Sequence, residues 1–176
     1  SSPITDLNAL RAVELIRSNL VGMIKCGGKG EYADNMMLGS LLAGLAFSNA
    51  SLGIVHAMAH ALGGYLDLSH GECNAILLEH AVNYNYESVP EKYNDLASAM
   101  GIETKGMKDF QIKKALIEAI AELRYESGIR HGFSALGLKK EEIPVLADYA
   151  LADACIVTNP RDAAKSDIEN LYDAAF

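Results

Sequence analysis

The chain has 176 residues, half of them hydrophobic and 22 % charged, with a formal net charge of −8. That length suits a single domain, 1–176, burying about 70 % of its unfolded surface. The acidic balance and the lack of any Lys/Arg cluster argue against nucleic acid and anionic membrane as partners, because both are held by basic patches.

Taken in order, the chain gives helical signals throughout. Thr5 is the expected N-cap of a first helix with Asp6 in its first turn. Leu10, Val13, Ile16, Leu20 and Ile24 recur at three and four residues, and Gly27-Gly28 stops the helix. A second helix is expected over about 31–47, where Gly39, Ser40, Ala43, Gly44 and Ala46 suggest close helix packing. Ser48 to Ser51 reads as a break, with a serine available to cap the next helix. That third helix is expected over about 52–62, ended by Gly63-Gly64. A fourth starts at His70 and runs to about Tyr84, and a short one covers 93–100. The spacing of Ile112, Leu116, Ile120 and Leu123 predicts a surface helix over 109–125. Residues 127–138 form a loop, 141–154 a helix with Pro144 in its first turn, and 167–175 a last short helix. Only Cys155-Ile-Val-Thr is a faint strand candidate, so the fold class is all-α.

From Met36 to Leu66, 31 residues contain no Asp, Glu, Lys or Arg. Ser40, Ser48, Asn49, Ser51, His56 and His60 interrupt this run. Its apolar pieces are shorter than the ~20 residues a membrane span needs, so two buried helices are expected. Three widely spaced cysteines (Cys26, Cys73, Cys155) form no CxxC pair. A reducing cytoplasm is therefore the expected location. The chain opens Ser-Ser-Pro with no basic stretch, so no signal peptide is expected.

Three of the five histidines, His56, His60 and His70, lie in or just beyond the uncharged run. A polar group buried there must be hydrogen-bonded, ligated or facing a cavity, since leaving it unpaired costs about 1–3 kcal/mol. Taken singly, each is most simply a hydrogen-bonded core or capping residue. Together they suggest a metal: His56 and His60 are one turn apart on one helix face, and His70 follows across a tight turn. Cys73 would be a fourth donor, although a free cysteine usually behaves as a small buried hydrophobe. Gly28-Lys-Gly-Glu-Tyr-Ala33 matches a loose dinucleotide fingerprint, but a helix precedes it where a strand is required, so it is read as a helix stop.

The segment His56-Ala-Met-Ala-His60-Ala-Leu-Gly-Gly, followed by Ser69-His70-Gly-Glu-Cys-Asn74-Ala-Ile-Leu-Leu, closely resembles the signature of the iron-containing (group III) alcohol dehydrogenases. Ser2-Pro-Ile-Thr-Asp6 and Thr158-Asn-Pro-Arg161 extend the likeness to both ends. The resemblance implies the family's helical-bundle C-terminal domain. It also implies NAD(P)-linked interconversion of a primary alcohol or diol and its aldehyde, with a divalent metal, Fe²⁺ before Zn²⁺. By that likeness His56 and His70 are metal ligands. His60 is the catalytic residue beside nicotinamide and substrate, and not a ligand. The implied partners are the small alcohol or aldehyde, an N-terminal nucleotide-binding domain, and further copies of the chain in a homo-oligomer. The family's other two ligands, an Asp and a His four residues after it, have no Asp-x-x-x-His counterpart here, and no nucleotide-binding domain is present, so this chain alone is expected to be inactive. His80 and His131 match no motif position. The alternative is a stand-alone helical metal-binding or protein-interaction module without dehydrogenase activity.

Overall fold

The computed structural model describes all residues, 1–176. Its helices are α1 (Pro3–Lys25), α2 (Glu31–Ala50), α3 (Ile54–Leu66), α4 (His70–Asn85), α5 (Pro90–Ala99), α6 (Asp109–Glu126), α7 (Ile143–Ala152) and α8 (Lys165–Ala174). Four short 3-10 turns complete the regular structure, and there is no strand. The all-α class expected from the sequence is the observed one. Residues 155–158 belong to the 3-10 turn Ala154–Thr158 and not to a strand. The chain divides into two units, Ser1–Ser51 with Val89–Ser127, and Leu52–Ser88 with Gly128–Phe176.

The first unit is built on α1 and α2. Ser2, not Thr5, caps α1: its Oγ accepts the Thr5 amide at 3.3 Å, and Thr5 Oγ1 accepts the Ser2 amide at 2.7 Å. Pro3 occupies the first turn, where no backbone donor is missed. Gly27 and Gly28, at φ +71° and +77°, turn the chain out of the helix. The small residues of α2 do allow close approach, since a Cβ on Gly39 would meet Ile16 Cγ1 at 3.0 Å. The expectation of two buried helices in the uncharged run fails for α2, however. Only Gly39 and Ala46 of α2 are buried, while Met37 is 75 % and Leu41 60 % exposed. Apolar periodicity marks a face that avoids water but does not say what covers it. No single helix of the chain is long and apolar enough to cross a membrane.

The second unit holds the larger apolar core. Ile54, Met58 and Leu62 of α3 pack with Ile76 and Leu77 of α4, Leu146 and Ala147 of α7, Ile168 and Tyr172 of α8, and Phe133. The buried Tyr172 hydroxyl donates to the Met58 carbonyl at 2.8 Å, which removes an orphaned polar group from the core. Gly63-Gly64 does not end α3. The helix continues to Leu66, and Asp67 takes the left-handed position at φ +53° that a glycine usually fills. Two glycines inside a helix cost roughly 1 kcal/mol each, and the fully buried face of α3 offsets that.

The start of α3 is held from far away in sequence. No serine caps it, and Gly53 offers no side chain. The cap is Asn159, whose Oδ1 accepts the Ile54 amide at 3.1 Å and the Asn85 Nδ2 at 2.9 Å. Asn159 Nδ2 donates in return to Asn85 Oδ1 at 2.8 Å and to the Arg161 carbonyl at 2.6 Å. Thr158 adds a hydrogen bond from its hydroxyl to the Leu52 carbonyl. Arg161 donates to the Tyr84 carbonyl at 3.0 Å, and its guanidinium lies 4.0 Å from the Tyr84 ring centroid. The Thr-Asn-Pro-Arg segment is thus a clasp joining the N-terminus of α3 to the C-terminus of α4.

Candidate metal and catalytic site

Helix phase and one tight turn assemble the site. His56 and His60 stand on the same face of α3, four residues apart. The link Asp67–Ser69 reverses the chain so that α4 begins at His70. All three expected histidines meet: the ring centroids are 5.4 Å apart for His56–His70, 5.1 Å for His60–His70 and 6.1 Å for His56–His60.

Two imidazoles bound at about 2.1 Å to one ion at a tetrahedral angle place their centroids roughly 5 Å apart. Both the His56–His70 pair at 5.4 Å and the His60–His70 pair at 5.1 Å fit that spacing. Burial pushes His56 below the usual imidazole value, and the neighbouring His70 and His60 push it the same way. A neutral imidazole is the form that ligates. Asn74 donates from Nδ2 to His70 Nε2 at 3.0 Å and to the His70 carbonyl at 2.9 Å. That contact holds the His70 ring and occupies its Nε2 lone pair, so ligation by His70 requires release of Asn74 or use of Nδ1. The Asn74 Oδ1 is buried without a partner, an orphaned acceptor at the rim of the cluster.

His60 is held differently. Its Nδ1 lies 2.9 Å from Asp153 Oδ2, so Nδ1 carries the proton given to the carboxylate and Nε2 keeps its lone pair. Burial alone would raise the Asp153 carboxyl. Hydrogen bonds from the Cys155 amide and from His60 outweigh it and hold the group below the usual carboxylate range. The Asp153 Oδ1 accepts the Cys155 amide at 2.7 Å. A ring nitrogen of His60, a carboxylate oxygen of Asp153 and the Cys155 thiol lie within 4.8 Å of one another.

The structure therefore adds Asp153 and Cys155 to the residues expected from sequence. Asp153 is 93 residues from His60, and an Asp-x-Cys triplet carries no recognised ligand spacing, so no sequence signal pointed to them. Cys73 is not a donor here. It is fully buried and packed into the apolar core; burial raises its thiol, as it also raises that of Cys155 beside Asp153. Of the unassigned histidines, His131 pairs through Nε2 with Glu72 Oε1 at 2.9 Å, and His80 lies 3.6 Å from Glu79.

An all-helical chain that gathers three imidazoles between two helices has the architecture of a helical metal-binding domain. Comparison with known proteins makes the class definite. The model of the Fe-containing alcohol dehydrogenase family, C-terminal part, matches residues 1–176, and the chain belongs to that family. It is 41 % identical over 176 residues to 1,3-propanediol dehydrogenase of Citrobacter freundii, covering 100 % of this chain and 46 % of that protein. It is 40 % identical over 173 residues to lactaldehyde reductase of Escherichia coli (strain K12), covering 98 % and 45 %. The crystal structure of a 1,3-propanediol oxidoreductase superposes with a TM-score of 0.97 at 39 % identity, covering 100 % of this chain and 46 % of the other. The chain thus spans about half the length of the relatives it matches.

Proposed function

We propose that this chain is the metal-binding, catalytic half of an NAD(P)-linked alcohol dehydrogenase that interconverts a small primary alcohol or diol and its aldehyde. The observation that carries the reading is the meeting of His56, His60 and His70 with centroids 5.1–6.1 Å apart, in a chain whose family is iron-containing. The relatives named for 1,3-propanediol and lactaldehyde point to short, hydroxylated substrates.

In this reading His56 and His70 hold the divalent ion, Fe²⁺ by family and Zn²⁺ by the tolerance of imidazole. A bound ion would act as a Lewis acid toward the alcohol oxygen. The chain's own residues do the rest. Asn74 fixes the His70 ring. Asp153 fixes the His60 tautomer and leaves Nε2 as the free acceptor, able to take a proton from a substrate hydroxyl. The nicotinamide would be held by an N-terminal nucleotide-binding domain of the kind the family carries. The unpaired cysteines suit a reducing cytoplasm.

The test is nicotinamide reduction with 1,3-propanediol or a similar alcohol, using the chain joined to a family nucleotide-binding domain and loaded with Fe²⁺. Metal-dependent turnover that falls at least a hundredfold in His60→Ala supports the reading. A metal-loaded protein that turns over none of a panel of primary alcohols and diols contradicts it, and favours the stand-alone module.

A further inference from the structure

Asp153 and Cys155 do more than orient His60. They come from one tight turn after α7, and Asp153 uses both carboxylate oxygens. Oδ1 locks the turn through the Cys155 amide, and Oδ2 faces His60 Nδ1. An imidazole nitrogen, a carboxylate oxygen and a thiol are thereby held within 4.8 Å of one another. Donor atoms around a tetrahedral zinc, at about 2.0–2.3 Å from it, lie roughly 3.3–3.7 Å apart. Closing this cluster on an ion therefore needs shifts of about 1 Å or less. The His60 side chain is 41 % exposed, which leaves an entry path and room for a water as fourth ligand.

We propose that His60, Asp153 and Cys155 form a second metal site, suited to Zn²⁺ over magnesium and calcium and separate from the His56–His70 pair. Thiolate with imidazole and carboxylate is a donor set that zinc takes and that magnesium or calcium does not. Binding balances simply. The ion bonds to His60 Nδ1, Asp153 Oδ2 and Cys155 Sγ. The thiol proton goes to water, and the His60 proton moves from Nδ1 to Nε2. Occupancy therefore removes the Asp153–His60 hydrogen bond and turns Nε2 from acceptor into donor. Zinc at this site would stop His60 from accepting a substrate proton. That inhibitory consequence rests on the proposed role of His60, whereas the binding itself does not.

The binding is read with cobalt(II) as a spectroscopic substitute, added to the full chain under reducing conditions. A near-ultraviolet thiolate-to-cobalt band, with the intensity of one thiolate per chain, is expected, and Zn²⁺ should bleach it. Cys155→Ser should abolish the band. Asp153→Asn, which keeps the Oδ1 acceptor for the turn, should weaken cobalt binding at least tenfold. His56→Ala should leave the band unchanged. No band, a band that survives Cys155→Ser, or a band lost in His56→Ala overturns the proposal. Because the His56–His70 pair contains no thiol, its failure to hold iron and the failure of this site are separate results.

Discussion

Asn159→Ala tests whether the clasp at the start of α3 positions the metal-binding helix. The substitution removes four hydrogen bonds: from the Ile54 amide, from and to the Asn85 side chain, and to the Arg161 carbonyl. Each such bond contributes about 1 kcal/mol net. Asn85 is only 5 % exposed, so water compensates its amide poorly, whereas the exposed Arg161 side of the clasp is resolvated. The expected loss is about 3 kcal/mol. For a chain of this length 1 kcal/mol moves Tm by about 2–4 °C, which predicts a fall of about 6–12 °C by circular dichroism. Because His56 is in the first turn of α3, Asn159→Ala should also weaken Fe²⁺ binding. A Tm within about 2 °C of wild type would refute the clasp as an energetic feature.

Three further outcomes follow from the same geometry. Gly132→Ala should destabilise by about 2 kcal/mol or more in denaturant titration, because a Cβ there would sit 2.7 Å from the Ala175 and Phe176 carbonyl oxygens. The C-terminus that Phe133 and Ser134 hold by backbone hydrogen bonds would have to move. Tyr172→Phe should cost about 1–2 kcal/mol, since it leaves the Met58 carbonyl without its buried donor. The third concerns acid. Asp153 is held below its ordinary 3.8, so the stability it adds is fully present above about pH 4 and is lost as pH falls through the lowered value. Asp153→Asn should flatten that limb of the stability–pH curve, and an unchanged acid limb would contradict the assignment.

Much of this was legible from sequence because local rules carried it. The i, i+4 spacing of His56 and His60, and the short link to His70, put three rings in one place without long-range information. Other features depended on distant partners. Ser48 and Ser51 offered the usual capping chemistry for α3, yet Asn159 does the capping, through a fold-dependent approach that no local pattern encodes. Asp153 and Cys155 look unremarkable until the Ala154–Thr158 turn and α3 are brought side by side. The apolar stretch of α2 departs from its sequence expectation for the opposite reason: its apolar character is clear, but Met37 and Leu41 are exposed. Gly63-Gly64 shows that a helix-stop signal yields where a buried face outweighs it.

The central claim is that His56 and His70 hold the iron of the proposed catalytic site while His60 does not. Equilibrium Fe²⁺ binding to the full chain under anaerobic conditions tests it most directly. The account predicts one Fe²⁺ per chain, a Kd raised at least tenfold in His56→Ala and in His70→Ala, and a Kd within about twofold of wild type in His60→Ala, a tenfold change being about 1.4 kcal/mol. Equal iron affinity in wild type, His56→Ala and His70→Ala would contradict it.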